Sequence, residues 1–255
     1  MKRVRLIVCL LFCAVLCYGC GKNKPTEEMQ GQEDTKVEGE QAAQDATQEP
    51  AEDESGLVRS YLTGKLTDPA IARRRPVAIM LNNIEAAQPM CGVSRADIIY
   101  ECVVEGALTR LMGIFENYDD LEKIGSVRSC RTYFVYFALE YDAIYAHYGQ
   151  AAYAVDLLEE DYVDNLSGLS GIGSTVFYRT SDRNAPHNVY ASAEGIKAGI
   201  EKMGYDMAYR DKYEGKFKFA EDGKEVKNDG GKSAVKLTPG YLINKPWFEY
   251  NAEDK

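Results

Sequence analysis

Histidine is scarce in this chain. Only His147 and His187 occur among 255 residues. Cysteine is less rare at seven, but Cys9, Cys13, Cys17 and Cys20 all fall in the first twenty residues. Cys91, Cys102 and Cys130 remain, enough for one disulfide at most, with no CxxC pair and no Cys/His spacing that suits a metal ion. A disulfide scaffold and a zinc module are thereby excluded, and the three thiols read as small buried residues. No metal ligand set is expected, and no motif names a cofactor. Positive charge is also short. Thirty Lys and Arg stand against forty Asp and Glu, a net −10, which argues against nucleic acid as a partner. The longest apolar run, residues 6–16, falls short of the ~20 residues a membrane-spanning helix needs.

What is present begins with an export leader. Residues 1–20, "MKRVRLIVCLLFCAVLCYGC", place Lys2, Arg3 and Arg5 before that apolar run and Gly19 before Cys20. Cys20 followed by Gly21 looks like the cleavage and lipidation site of a bacterial lipoprotein, although Cys17 stands where Leu is usual. A plain secretory leader and an uncleaved anchor are the alternatives. Residues 21–56 then carry three lysines against eleven carboxylates and almost nothing apolar, the composition of a disordered acidic tether. As a coil this tether reaches ~35 Å root-mean-square. Lipid on Cys20 would make the membrane a partner and hold the folded part at the outer face of the cytoplasmic membrane.

Residues 57–204 alternate between strand and helix patterns. "RPVAIMLNN" (75–83), "DIIYECVVEG" (97–106), "TRLMGIFEN" (109–117), "IGSVRS" (124–129), "AIYAHYG" (143–149) and "TVFYR" (175–179) read as strands. Phe134, Phe137, Ala138 and Tyr141 recur at helical spacing, with Ser129 as the expected N-cap. Residues 150–162 and 192–204 are further helix patterns, and 166–174 and 180–190 read as loops. The order predicts an α/β fold, a central mixed sheet covered by helices. Residues 205–232 read as a polar linker, and 233–255 as the start of an incomplete β-rich C-terminal unit.

In such folds ligands sit outside the carboxyl ends of the strands. Arg128 and Arg131 flank a strand-to-helix turn, Arg110 opens a strand, Arg179 closes another, and Arg183, His187 and Asn188 follow in its loop. His147 lies within a strand pattern. Guanidinium groups near a turn with free N–H groups suit a phosphate or carboxylate, so these residues together with Asn82 form a candidate anion-binding pocket. The competing reading is a structural ion network with Glu101, Glu105, Glu140, Asp142 and Asp182. His147, between tyrosines, reads as a core histidine or a catalyst, and Asn82 and Asn83 as ligand donors or turn caps.

Six segments, "RPVAIMLNN", "ADIIYE", "EGALTRLMGIFE", "GSVRSCRTYF", "EYDAIYAHYG" and "FYRTSDRNAPHNVY", in this order, resemble the YerB-like bacterial lipoproteins, whose domain has no assigned function. The resemblance runs from about residue 60 to 204 and implies a C-terminal β-rich domain that normally continues further. The order "VRSCRTYF…YDAIYAHYG…AVDLLE" is also similar to the LytR-CpsA-Psr wall-polymer transferases. That likeness implies a polyprenyl-pyrophosphate-linked glycan as substrate, with Arg128 or Arg131 on the pyrophosphate. The metal-binding Asp of those enzymes has no match here: "ALTRLMG" offers Thr109 and Arg110, and Glu105 is the nearest carboxylate. Three functions follow as expectations: a lipid-anchored envelope protein binding an anionic glycan or phosphate ligand, a wall-polymer transferase, or a non-catalytic interaction protein.

Overall fold

The computed structural model describes residues 56–224, 226 and 230–253. The leader with Cys20 and, Gly56 apart, the acidic tether lie outside them. A short hairpin, β1 (Val58–Arg59) and β2 (Leu66–Thr67), leads to α1 (Pro69–Ala72) and β3 (Val77–Leu81). Next come β4 (Ile98–Val103), β5 (Thr109–Phe115), β6 (Ile124–Gly125), α2 (Thr132–Leu139), β7 (Ile144–His147) and α3 (Val155–Leu158). The remainder is β8 (Asn165–Ser167), α4 (Gly173–Val176), β9 (Phe177–Arg179), β10 (Val189–Ala191), α5 (Ala193–Met203), β11 (Lys236–Leu237) and β12 (Phe248–Glu249).

The architecture is mixed α/β. Five strands form the central sheet in the order β4-β5-β3-β7-β8. β3, β7 and β8 run parallel, while β5 is antiparallel to both β3 and β4. β3 is the middle strand and every one of its residues is buried. That burial explains its unbroken apolar run, since a strand covered on both faces has no polar side to show. Alternation along it divides the core in two. Val77, Ile79 and Leu81 pack with Ile196 and Ile200 of α5, while Ala78 and Met80 pack with Phe134, Val135 and Ala138 of α2. A small antiparallel sheet, β6-β10-β9, joins the α5 side.

Helix α5 has the caps its sequence advertises. Ser192 accepts from Gly195 N–H at its start, and Gly204 closes it in the left-handed conformation. For α2 the N-cap is Arg131 rather than Ser129. Ser129 lies two residues too early because Cys130 is still bridged, in strand fashion, to Gln150. The second helix pattern, 150–162, yields only a short 3-10 turn and α3. Two segments expected as loops contribute most of β8, the first half of α4 and most of β10, and Thr175 and Val176, expected as strand, complete α4. Cys91 and Cys102 are half-buried and only Cys130 is buried; all three are free thiols.

The first part of the expected linker packs on the domain. Arg75 N–H donates to Met207 O at 2.7 Å, and Tyr61, Tyr209 and Tyr213 form an aromatic cluster with centroids 4.7–6.0 Å apart. Beyond it, β11 and β12 form a two-stranded ribbon. The ribbon's flanks meet the sheet: Tyr241 Oη donates to Glu101 O at 2.9 Å, and Asn244 Nδ2 donates to Asn83 O. No described helix is long and apolar enough to cross a membrane.

Candidate functional site

The carboxyl ends of β3, β7 and β8 share one rim of the sheet. Because β5 runs the other way, its first residues lie on that same rim, and the register Leu81↔Leu111 sets Thr109 and Arg110 beyond the end of β3. The chain after β6 reaches this rim as well, for Arg128 N–H donates to Met80 O at 3.0 Å. Gly125 makes that approach possible. Its φ is +145°, and a Cβ there would stand 2.9 Å from both Tyr190 Cδ1 and Val127 N.

Here lies a cleft of about 200 Å³ lined by Asn82, Ile84, Val104, Glu105, Leu108, Thr109, Arg110 and Arg128. Arg110 Nη1 donates to Ser129 O at 2.6 Å, and Arg128 Nη1 donates to Pro186 O at 3.1 Å. Neither forms an ion pair among the described residues, and Arg128 Nε is buried without a partner. Burial, then Arg131 and Arg128, lowers Arg110 to about 10. Burial and Arg131 also lower Arg128. Desolvated like charges at close range disfavour the charged form, and a bound anion relieves both costs.

Arg131 is held differently. Its Nε donates to both Glu105 oxygens, at 2.7 and 3.0 Å, its Nη2 donates to Glu105 Oε2, and its Nη1 donates to Cys130 O at 2.7 Å. It also reaches Ser129 O at 3.4 Å, the carbonyl that Arg110 uses. Hydrogen bonding from Arg131 holds the Glu105 carboxyl at about 2. Only Arg131 pairs with the carboxylate; Arg110 shares the Ser129 carbonyl with it, and Arg128 joins Arg110 in the cleft lining. Glu101, the other acid of the rim, accepts from Asn83 Nδ2 at 2.7 Å instead.

The remaining residues of the expected pocket sit around or away from this cleft. Asn82 Oδ1 accepts from Asn83 N–H at 3.0 Å, which turns its Nδ2 toward His187 Nδ1 at 3.0 Å. His187 Nδ1 is thus the acceptor and its proton belongs on Nε2. Burial, Arg128 and Arg183 lower its pKa. Arg179 donates to Asn188 Oδ1 at 2.7 Å and lies over the Tyr148 ring at 5.0 Å, while Asn188 Nδ2 holds Thr180 O at 2.9 Å. Arg183 is spent on Ala87 O and on Pro89 O, the latter at 2.8 Å, stapling two loops together. His147 is fully buried between Gly149 O, 2.8 Å from Nδ1, and Asn165 Oδ1, 3.3 Å from Nε2. Burial lowers its pKa against the pull of those two oxygens, so it stands as a core histidine away from the cleft lining. Ile84, Val104 and Leu108 line the cleft without having been expected. The polar turn between two strand patterns at Glu105 and Gly106 is the signal that points to this edge. Among the described residues no group of three or more His, Cys, Asp or Glu is placed to hold a metal ion.

The fold and cleft describe an α/β domain with a cationic hollow at the carboxyl rim of its sheet. Residues 62–206 match the family model described as "Protein of unknown function (DUF3048) N-terminal domain", and the chain belongs to that family. It is 38% identical over 155 residues to "Putative lipoprotein YerB" of Bacillus subtilis (strain 168), a match covering 61% of this chain and 46% of that protein. The crystal structure of the YerB protein from Bacillus subtilis is similar with a TM-score of 0.54 and 37% identity, covering 59% of this chain and 51% of that one. The chain spans about half the length of these relatives. Every cleft residue lies inside the matched region.

Proposed function

We propose that this chain is a lipid-anchored, envelope-facing module that binds a phosphate or pyrophosphate group. The observation that carries the reading is the pair Arg110 and Arg128, two partly desolvated guanidinium groups in one cleft with carbonyls as partners and no ion pair among the described residues. Guanidinium is the side chain best shaped for a planar, two-point grip on phosphate oxygens. A cleft of about 200 Å³ admits a small anionic head group, leaving the rest of the ligand outside. Lipid anchoring draws on the layout of residues 1–20 and on the description of the Bacillus relative as a lipoprotein.

Two experiments test this. Arg110→Ala with Arg128→Ala is expected to abolish pyrophosphate binding in calorimetry and leave the far-UV spectrum unchanged. In the wild type, pyrophosphate at a hundred times its Kd is expected to raise stability by about 2.7 kcal/mol. Undiminished binding by the double variant ends the reading. For the anchor, Cys20→Ala is expected to move the protein from the membrane fraction to the soluble one, and retention on the membrane refutes lipidation there.

The wall-polymer transferase remains a second reading because the same arginines suit a leaving pyrophosphate, where they would stabilise developing charge. The acids of the cleft do not fit the divalent metal of such enzymes. Glu105 is spent on Arg131, and Glu101 is turned to Asn83. No metal-assisted step follows from these residues. Transfer of glycan from a lipid-linked donor, lost in the double variant, would select this reading over simple binding.

A further inference from the structure

Arg131 and Glu105 are unequal partners. The Arg131 side chain is 9% exposed and that of Glu105 is 59% exposed. The guanidinium is fixed independently by Cys130 O at 2.7 Å and sits beside Arg110 on Ser129 O. The carboxylate has no comparable tether. Its other side-chain contact is the hydroxyl of Tyr153, at 3.2 Å, and Tyr153 is itself exposed. It also rides on a turn where Ala107, a residue with a Cβ, is held in the left-handed region at φ 60°. Glu105 can therefore swing into water while Arg131 stays. Glu105 lines the cleft with Arg110 and Arg128, and Arg131 meets Arg110 on Ser129 O, so departure of the carboxylate would free a third guanidinium beside that pair.

Resting on the anion-binding reading, we propose that Glu105 is a displaceable internal counter-ion that makes the cleft select anions with two adjacent phosphate groups over anions with one. A single phosphate is held by Arg110 and Arg128 and leaves the Glu105–Arg131 pair intact. A diphosphate reaches further, takes the place of the carboxylate on Arg131, and gains a third charge-assisted grip. The carboxylate also repels weak anions that cannot displace it, which is selection by a built-in competitor.

The test uses the full chain with sodium phosphate and sodium pyrophosphate, followed by calorimetry and by the Arg131 Nε–H resonance. In the wild type, pyrophosphate is expected to shift that resonance and phosphate to leave it in place. Glu105→Gln is expected to tighten pyrophosphate about tenfold and phosphate about threefold or less. Tyr153→Phe, an exposed change that removes one hydrogen bond from the carboxylate, is expected to tighten pyrophosphate about twofold. Pyrophosphate that binds without moving the Arg131 resonance overturns the displacement and leaves the two-arginine site standing. Failure of both anions to bind overturns the site itself and the displacement with it.

Discussion

The two rims of the central sheet both carry arginine, and they use it in opposite ways. At the amino ends of β3, β7 and β8, Arg75 is 1% exposed and donates to Asp142 O at 2.6 Å and to Asp164 Oδ2 at 2.6 Å. Arg210 completes the group, 3.1 Å from Asp142 and 2.8 Å from Asp164. Two cations meet two anions and the charge closes. At the carboxyl ends, Arg131 pairs with Glu105, while Arg110 and Arg128 meet only carbonyls among the described residues. A rim whose charges cancel holds strands together. A rim left positive keeps binding capacity in reserve, at a cost in stability.

Breaking the closed rim has the largest expected effect. Arg75→Ala leaves the buried Asp142 and the partly buried Asp164 with one half-exposed arginine and is expected to cost about 3–5 kcal/mol, or roughly 10 °C in Tm. A thermal melt within 2–3 °C of wild type would show that the network contributes little. The same kind of change at the open rim sharpens the contrast. Arg110→Met removes a cation with no ion-pair partner among the described residues and two like neighbours, so stability is expected to stay within about 1 kcal/mol of wild type or to rise. A loss approaching that of Arg75→Ala would erase the distinction between the rims.

The smallest effect is one of pH. Glu105 is held below its ordinary value, at about 2, by Arg131. A carboxyl lowered on folding stabilises above its unfolded value and loses that contribution as pH falls through the folded one. Between about pH 4.5 and 2, wild type should therefore lose stability that Glu105→Gln does not. The exposure of Glu105 limits the difference to about 1 kcal/mol. Parallel urea titrations at pH 5 and pH 3 measure it, and equal slopes for the two proteins would mean the pair is not formed in solution.

Much of the frame was readable in the residue pattern. The continuous apolar run before Asn82 declares a central strand, and Ser192 with Gly204 brackets α5. β8 and β10 escaped because three residues carry too little periodicity to stand out among Ser, Gly and Asn. The arginines were legible as a group near strand ends, but their partners were not. Arg131 finds Glu105 across 26 positions and Arg128 finds Pro186 across 58. Spacing along the chain does not say whether a guanidinium will meet a carboxylate or a carbonyl, because that depends on register and loop path. Arg179, Arg183 and Arg131 look alike in sequence to Arg110 and Arg128, and in the fold they are committed elsewhere.

One reversed strand lies behind the open rim. Since β5 runs against β3, the five-residue bend joining β4 to β5 carries Glu105 and leads into Arg110, the second residue of β5. Lengthening or shortening that bend would move the acid while the register Cys102↔Arg110 holds the base in place. In the proposed site the brake sits on one short piece of chain and the grip on the strand beside it, so evolution could reset the first without touching the second or the buried layers beneath.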